Sequence, residues 1–411
     1  MPLILIRGDK TRMICVNDKI FQTGKALPGI LRWLLLAVLF ALPCRGEAAL
    51  SGPARPPAIT AEAAIVVEAS TGRVLYEKNA DRLMYPASMT KIMTCLLALE
   101  KGELNAPVTV SEAAAETEYA ELSAGDRLTM EELLTEMMLE SDNGASVAVA
   151  EQLAPSVGQF SEMMTERAAA LGADRTRFRN PNGLPAPGHV STARDMMKIS
   201  RAAWELPVFR RIVGTARHTV RFQSPQSPPW EAENTNHLLE RYRGMVGIKT
   251  GWTEAAGGCL AGAAERDGVT LISIVMNAIN GDARFSDTAA LLDYGFSRVR
   301  VAPGPPREKI EGTVWVHNGS TYKVTAHPRA DVRHVLLDGE MERRCSVRLD
   351  MPRFINAPVR RGDKVGELVL CYEGKETGRI DMIADSSTEI GFSPMAYVID
   401  FYDRLLGPLL G

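Results

Sequence analysis

No Cys-x-x-Cys pair, no His-Glu-x-x-His and no Gly-x-x-x-x-Gly-Lys loop occurs in the 411 residues. A metal or nucleotide site therefore has no support, and no cofactor is expected. There is no basic excess either: 47 Lys and Arg face 50 Asp and Glu, a net charge of −3. Such a balance gives no electrostatic footing to a nucleic-acid partner. The apolar run Leu34–Leu42 is too short to span a bilayer comfortably. No internal repeat is found. Cysteine is scarce, with six in the chain, and two of those, Cys15 and Cys44, fall near the N-terminus.

What is present there argues export. Lys19, Lys25 and Arg32 precede the run Leu34–Leu42, and Gly46, Ala48 and Ala49 follow it, which is the layout of a secretory signal over residues 1–49. The stretch before the apolar run is long, which makes Met13 a second candidate start. An uncleaved anchor is the alternative, and Pro43 before Cys44 fits a lipoprotein cleavage site poorly. Export permits disulfides; Cys345 and Cys371 lie in one β-rich region and are a candidate pair, whereas Cys95 reads as a small buried apolar residue.

The rest divides into segments. "AAIVVEASTGRVLYEKN" (63–79) reads as a β-hairpin around Ser-Thr-Gly. A largely helical region follows to about residue 205, with Thr129 and Glu132 as a capping box. "GMVGIKTGWT" and "GGCLAGAAERDGVTLISIVMNA" read as strands, the latter turning at Asp267-Gly268, and "TAALLDYGFSRV" as a closing helix. Strands at both ends around a helical middle predict an α+β domain, an antiparallel sheet carrying helices, over 57–300. After the Pro/Gly linker "VAPGPPREK", short alternating runs predict a small all-β, sandwich-like domain over 306–390. The tail 391–411 has the pattern of an amphipathic helix; residues 393–409 suit either packing on the protein itself or lying in a membrane surface, although the narrow polar face is acidic.

Three short motifs carry the chemistry. In "YPASMTKIMT", Ser88 stands three places before Lys91 at a helix start. Residues three apart on a helix share a face, and a lysine in so apolar a helix loses its charge readily and becomes a base. The plainer account is a serine cap with a lysine reaching solvent. The same spacing recurs at Ser320–Lys323, but it enters a strand, where such residues face opposite sides, and no function is assigned to it. In "ESDNGAS", Ser141 and Asn143 form either a polar turn with an Asn-Gly helix stop or a proton relay and a substrate-amide holder. In "GIKTGWT", Lys249 and Thr250 at a strand end suit a carboxylate, and Gly251 permits close backbone approach; an edge strand guarded by a lysine is the alternative.

Taken in order, Ser-x-x-Lys, Ser-x-Asn and Lys-Thr-Gly form the set found in penicillin-binding proteins and class A β-lactamases. With "NPNGLPAPGHVSTARDM" and "APVRRGDKVGELVLCYEGKETGRIDMIA", the chain resembles the low-molecular-mass penicillin-binding proteins, the serine D-alanyl-D-alanine carboxypeptidases. The resemblance implies a β-lactamase/transpeptidase-like catalytic domain at the outer face of the cytoplasmic membrane. It implies peptidoglycan stem peptides ending in D-Ala-D-Ala as substrate and β-lactams as covalent inhibitors. It implies catalytic Ser88 as nucleophile, Lys91 as base, Ser141 as proton relay and Asn143 as substrate holder. Substrate-binding Lys249 and Thr250 would take the terminal carboxylate. Gly251 would allow close approach, and the backbone N–H groups of Ser88 and Trp252 would form an oxyanion hole worth about 3–4 kcal/mol per donor. Two features depart from the pattern. Asp142 sits where the carboxypeptidases commonly have Gly or Ala, and Ser-Asp-Asn is closer to the class A β-lactamases; yet the Glu-x-x-Leu-Asn those enzymes use for deacylation is missing between 144 and 249, and they lack a C-terminal β-domain. His189 reads as structural. A D,D-endopeptidase and a non-catalytic penicillin-binding sensor are the alternatives.

Overall fold

The computed structural model describes residues 3–5, 55–224, 227–395 and 397–398. It divides into two compact units, Ala54–Arg298 and Val299–Gly411 together with Met1–Pro53.

The first unit is built on a five-stranded antiparallel sheet. In chain order its strands are β1 (Ala63–Glu68), β2 (Val74–Lys78), β3 (Met245–Thr253), β4 (Gly257–Arg266) and β5 (Val269–Ala278), arranged in space β2-β1-β5-β4-β3. The interior strands are apolar on both faces, so both are covered by helices. Ile272, Ile274 and Met276 of β5 join Ile65 and Val67 in the main core. Leu271, one residue out of phase, meets Gly295 on helix Ala283–Ser297. The expected hairpin forms: the Glu68 carboxylate accepts from the Ser70 and Thr71 hydroxyls and fixes the Ser70–Thr71–Gly72 turn. Asp267 and Gly268 both take positive φ (53° and 78°), as a two-residue turn between right-twisted strands requires.

The helical middle contains α1 (Lys91–Lys101), α2 (Met130–Leu139) and α3 (Asn143–Leu153). Helix α1 is buried on every side from Lys91 to Ala98. Thr129 caps α2 through Glu132 N, but the return half of the box is absent: the Glu132 carboxylate turns to His218 and the Arg221 N–H. Strand β3 lies at the edge of the sheet, so one row of its backbone N–H and C=O groups is open to a peptide laid beside it.

The second unit is all-β. Seven strands pair in one sheet, with Leu3–Leu5 joined in parallel to Ser346–Arg348 at one edge; the separate ribbon Val299–Pro303/Arg333–Leu337 completes it. Alternating residues Val314, Val316, Val324, Ala326, Leu368 and Met382 form its core. Cys345 and Cys371 do not pair. Cys345 lies opposite Tyr372, and Cys371 opposite Ser346; being one register step apart, the two side chains project to opposite faces. Apart from Leu3–Leu5, the signal region 1–49 lies outside the described residues, as does the tail helix beyond Val398 and at residue 396. Among the described residues no helix is long and apolar enough to cross a membrane.

Candidate active site

Ser88 does not sit in an α-helix. Residues Ala87–Thr90 form one 3₁₀ turn, and the α-helix begins at Lys91. The change of helix type improves the geometry, because residues three apart eclipse at three residues per turn. Lys91 Nζ lies 3.1 Å from Ser88 Oγ, 2.6 Å from Asn143 Oδ1 and 2.9 Å from the Asn182 carbonyl oxygen. The Asn143 amide has only one workable orientation, because its Nδ2 donates to the Glu118 carbonyl at 2.6 Å. Its oxygen therefore faces the lysine.

Lys91 is fully buried. Burial holds its amine well below the usual lysine value, and the charge of Lys249 pushes in the same direction against the smaller opposing pull of Asp142. A neutral amine has two N–H bonds and one lone pair. Asn143 Oδ1 and the Asn182 carbonyl can only accept, so they take the two N–H bonds. The lone pair is left for the hydroxyl of Ser88, which is the arrangement a general base needs.

Asp142 is equally well explained. One carboxylate oxygen caps α3 at Ala145 N (2.7 Å), and the other accepts from Glu121 N (2.9 Å) and Leu122 N (3.1 Å). This pins the segment that carries Glu118. Ser141 joins α2 to α3 in a left-handed conformation (φ 72°) and is half-buried. Its hydroxyl has no hydrogen bond among the described residues, so none joins it to Ser88 or Lys91.

The Lys-Thr-Gly segment lies on edge strand β3. Lys249 is 1% exposed, and its ammonium has no hydrogen-bond partner. Burial, reinforced by Arg284 and opposed by Glu140, lowers it to about 7. A buried cation without a partner is a ready site for a carboxylate. The Thr250 hydroxyl meets the Thr235 hydroxyl at 2.7 Å. Gly251 lies directly against the Ala87–Thr90 turn: a Cβ there would come within 3.1 Å of Ala87 Cβ and 3.2 Å of Ser88 N. Trp252 is half exposed beyond it.

Four contributors were not legible in the sequence reading. The Asn182 carbonyl accepts from Lys91. Gly183, at φ 94°, lies so close to the Ala87 carbonyl that any Cβ would fall 2.0 Å from it. Thr235 holds Thr250. Arg284 donates to the Gly251 carbonyl at 2.8 Å, adding a second positive charge beside Lys249. The Asn-Pro-Asn-Gly cluster was a visible turn signal for the first two, whereas nothing local marks Thr235 or Arg284. His189 supports the site from behind. Its Nδ1 accepts from Arg179 N (3.1 Å), so its Nε2–H faces Thr90 Oγ1 (2.9 Å). Burial lowers it to about 4, so the ring stays neutral.

Residues 51–280 match the family described as D-alanyl-D-alanine carboxypeptidase, and 306–389 match the C-terminal domain of penicillin-binding protein 5. D-alanyl-D-alanine carboxypeptidase DacF of Bacillus subtilis is 33% identical over 84% of this chain and 89% of its own. DacC of Escherichia coli is 31% identical over 82% and 86%. The crystal structure of penicillin binding protein 5 from Haemophilus influenzae superposes with a TM-score of 0.60 at 26% identity, covering 82% of this chain and 99% of that one.

Proposed function

We propose, on the premise that this chain belongs to the S11 peptidase family of serine D-alanyl-D-alanine carboxypeptidases, that Ser88, Lys91 and Lys249 carry out that reaction here. The observation that carries this reading is the 3.1 Å contact of Ser88 Oγ with a buried lysine whose two other partners only accept. Ser88 attacks the carbonyl between the last two D-alanines of a stem peptide, and Lys91 takes its proton. The substrate lies along edge strand β3, its terminal carboxylate between Lys249, Thr250 and Arg284. The tetrahedral oxyanion is met by the backbone N–H groups of Ser88 and Trp252. Ser141 passes the proton to the leaving D-alanine, and the free N–H of Asn143 meets the substrate amide. Water then cleaves the acyl-Ser88 ester. A β-lactam acylates the same serine and departs slowly.

The unpartnered Lys249 ammonium favours a free C-terminus over an internal bond, and so an exopeptidase over an endopeptidase. A cell-wall substrate supports a location outside the cytoplasm as part of this proposal. Anchoring through 393–409 is part of the same proposal, supported by exposed Phe392, Met395 and Val398 at the start of the tail. The test is release of D-alanine from a stem pentapeptide. Wild type is expected to release it and Ser88→Ala to release none. A wild type that takes up labelled penicillin on Ser88 yet releases no D-alanine overturns the carboxypeptidase in favour of a sensor.

A further inference from the structure

A second charged recess adjoins the site and takes no part in the chemistry above. It is a cleft of about 370 Å³ lined by Glu121, Glu136, Glu140, Trp230 and Glu231. Glu136 and Glu140 are four apart on α2 and at its end, so they share a face. Glu140 directly precedes Ser141, and its charge reaches Lys249. Glu121 belongs to the segment held by Asp142.

Two observations separate this cleft from an ordinary acidic surface. Glu136 is completely buried at its floor, and neither carboxylate oxygen has a hydrogen-bond partner. The Trp230 indole is near enough to favour the charged form but does not complete a hydrogen bond. Nor does any of the four glutamates make an ion pair among the described residues. Glu140 accepts only from the Glu233 backbone N–H, and Glu231 from the Thr219 hydroxyl. Four carboxylates around one recess repel each other, and folding alone gives no reason to keep a bare one beneath them.

Open oxygens at the floor of an acidic recess suit a cation that also donates hydrogen bonds. Among the described residues no three acidic, His or Cys side chains are grouped to hold a metal ion. A tryptophan wall with dispersed acceptors instead suits an organic ammonium, through its three N–H donors and the ring face. We propose that this cleft binds a primary ammonium group, with Glu136 as its floor and Trp230 as its wall. Resting on the carboxypeptidase reading, one source is a free side-chain amine on the cell-wall peptide; a free diamine offers the same chemistry. Burial, with the charges of Asp142 and Glu140, lifts Glu136 to about 8. Seating a cation there releases its proton near neutral pH, which a purely structural glutamate does not do.

The experiment compares Nα-acetyl-L-Lys-D-Ala-D-Ala with its Nε-acetylated form, and measures calorimetric binding of cadaverine in buffers of different ionisation enthalpy. Wild type is expected to cleave the free-amine peptide with about five-fold higher kcat/KM. The ratio should fall to about one in Glu136→Gln and in the surface variant Glu231→Gln, with the acetylated peptide unaffected. Equal cleavage with cadaverine binding and proton release, lost in Glu136→Gln, supports the ammonium site and assigns it to a free amine. No effect of either amine, or effects that persist in both variants, overturns the inference and leaves D-alanine release standing. If neither peptide is cleaved, the carboxypeptidase reading fails, and the cadaverine measurement still decides the cleft.

Discussion

Lys91 Nζ stands 2.6 Å from Asn143 Oδ1, closer than the 3.1 Å that separates it from the Ser88 hydroxyl. The second motif therefore contacts the proposed base directly. Asn143→Ala removes this acceptor and lets the amine swing. Acylation of Ser88 by a labelled penicillin is expected to slow by about 10²-fold, beyond the stability cost of about 1–3 kcal/mol that the lost Glu118 hydrogen bond brings. Unchanged acylation would show that Asn143 does not position Lys91.

The two site lysines set opposite limbs of a pH profile. Acylation needs Lys91 neutral, so activity rises with pH through its lowered pKa. Carboxylate capture needs Lys249 charged, so kcat/KM falls as pH rises through about 7, the value burial gives it in the free enzyme. A bound carboxylate stabilises the ammonium and moves the fall in kcat to higher pH. Lys249→Arg keeps its charge throughout; the fall in kcat/KM near 7 should vanish even though its absolute value drops. Persistence of that limb would assign it to another group.

Asp142 invites comparison with a deacylating carboxylate, but its oxygens are committed to three backbone N–H groups. Asp142→Asn keeps only one acceptor oxygen and is expected to cost about 1–3 kcal/mol of stability, measured by denaturant unfolding. The lifetime of the penicilloyl-enzyme should stay within two- to three-fold of wild type, about the ordinary scatter for a residue outside the chemistry. A much longer lifetime would make Asp142 a participant in hydrolysis.

Gly183 is the close-approach position on which the nucleophile turn depends. Gly183→Ala puts a methyl group into the Ala87 carbonyl at positive φ. The strain is of order 1–3 kcal/mol, and penicillin acylation should fall with it. A variant as stable and as reactive as wild type would mean that the 180–184 turn does not brace the site.

Most of the framework was legible because it rests on local rules. The Ser-Thr-Gly and Asp-Gly turns, the Thr129 cap and the apolar run of β5 are fixed by residues close in sequence. The three motifs also stood out, since their order along the chain is improbable by chance. What the chain order hid was long-range. Arg284 reaches the Gly251 carbonyl across 33 residues, and Asn182 supplies a backbone atom, for which side-chain identity carries no signal. The Cys345–Cys371 pairing failed for the same reason: strand register, unreadable in composition, sets the two thiols on opposite faces.

The central claim is that Ser88 forms the acyl-enzyme with neutral Lys91 as its base. Mass mapping after brief exposure to benzylpenicillin tests it most directly. Wild type should carry one penicilloyl adduct, on the peptide containing Ser88. Lys91→Arg, whose guanidinium cannot accept the proton, should carry almost none over the same interval. An adduct on another residue, or undiminished labelling of Lys91→Arg, would contradict the account.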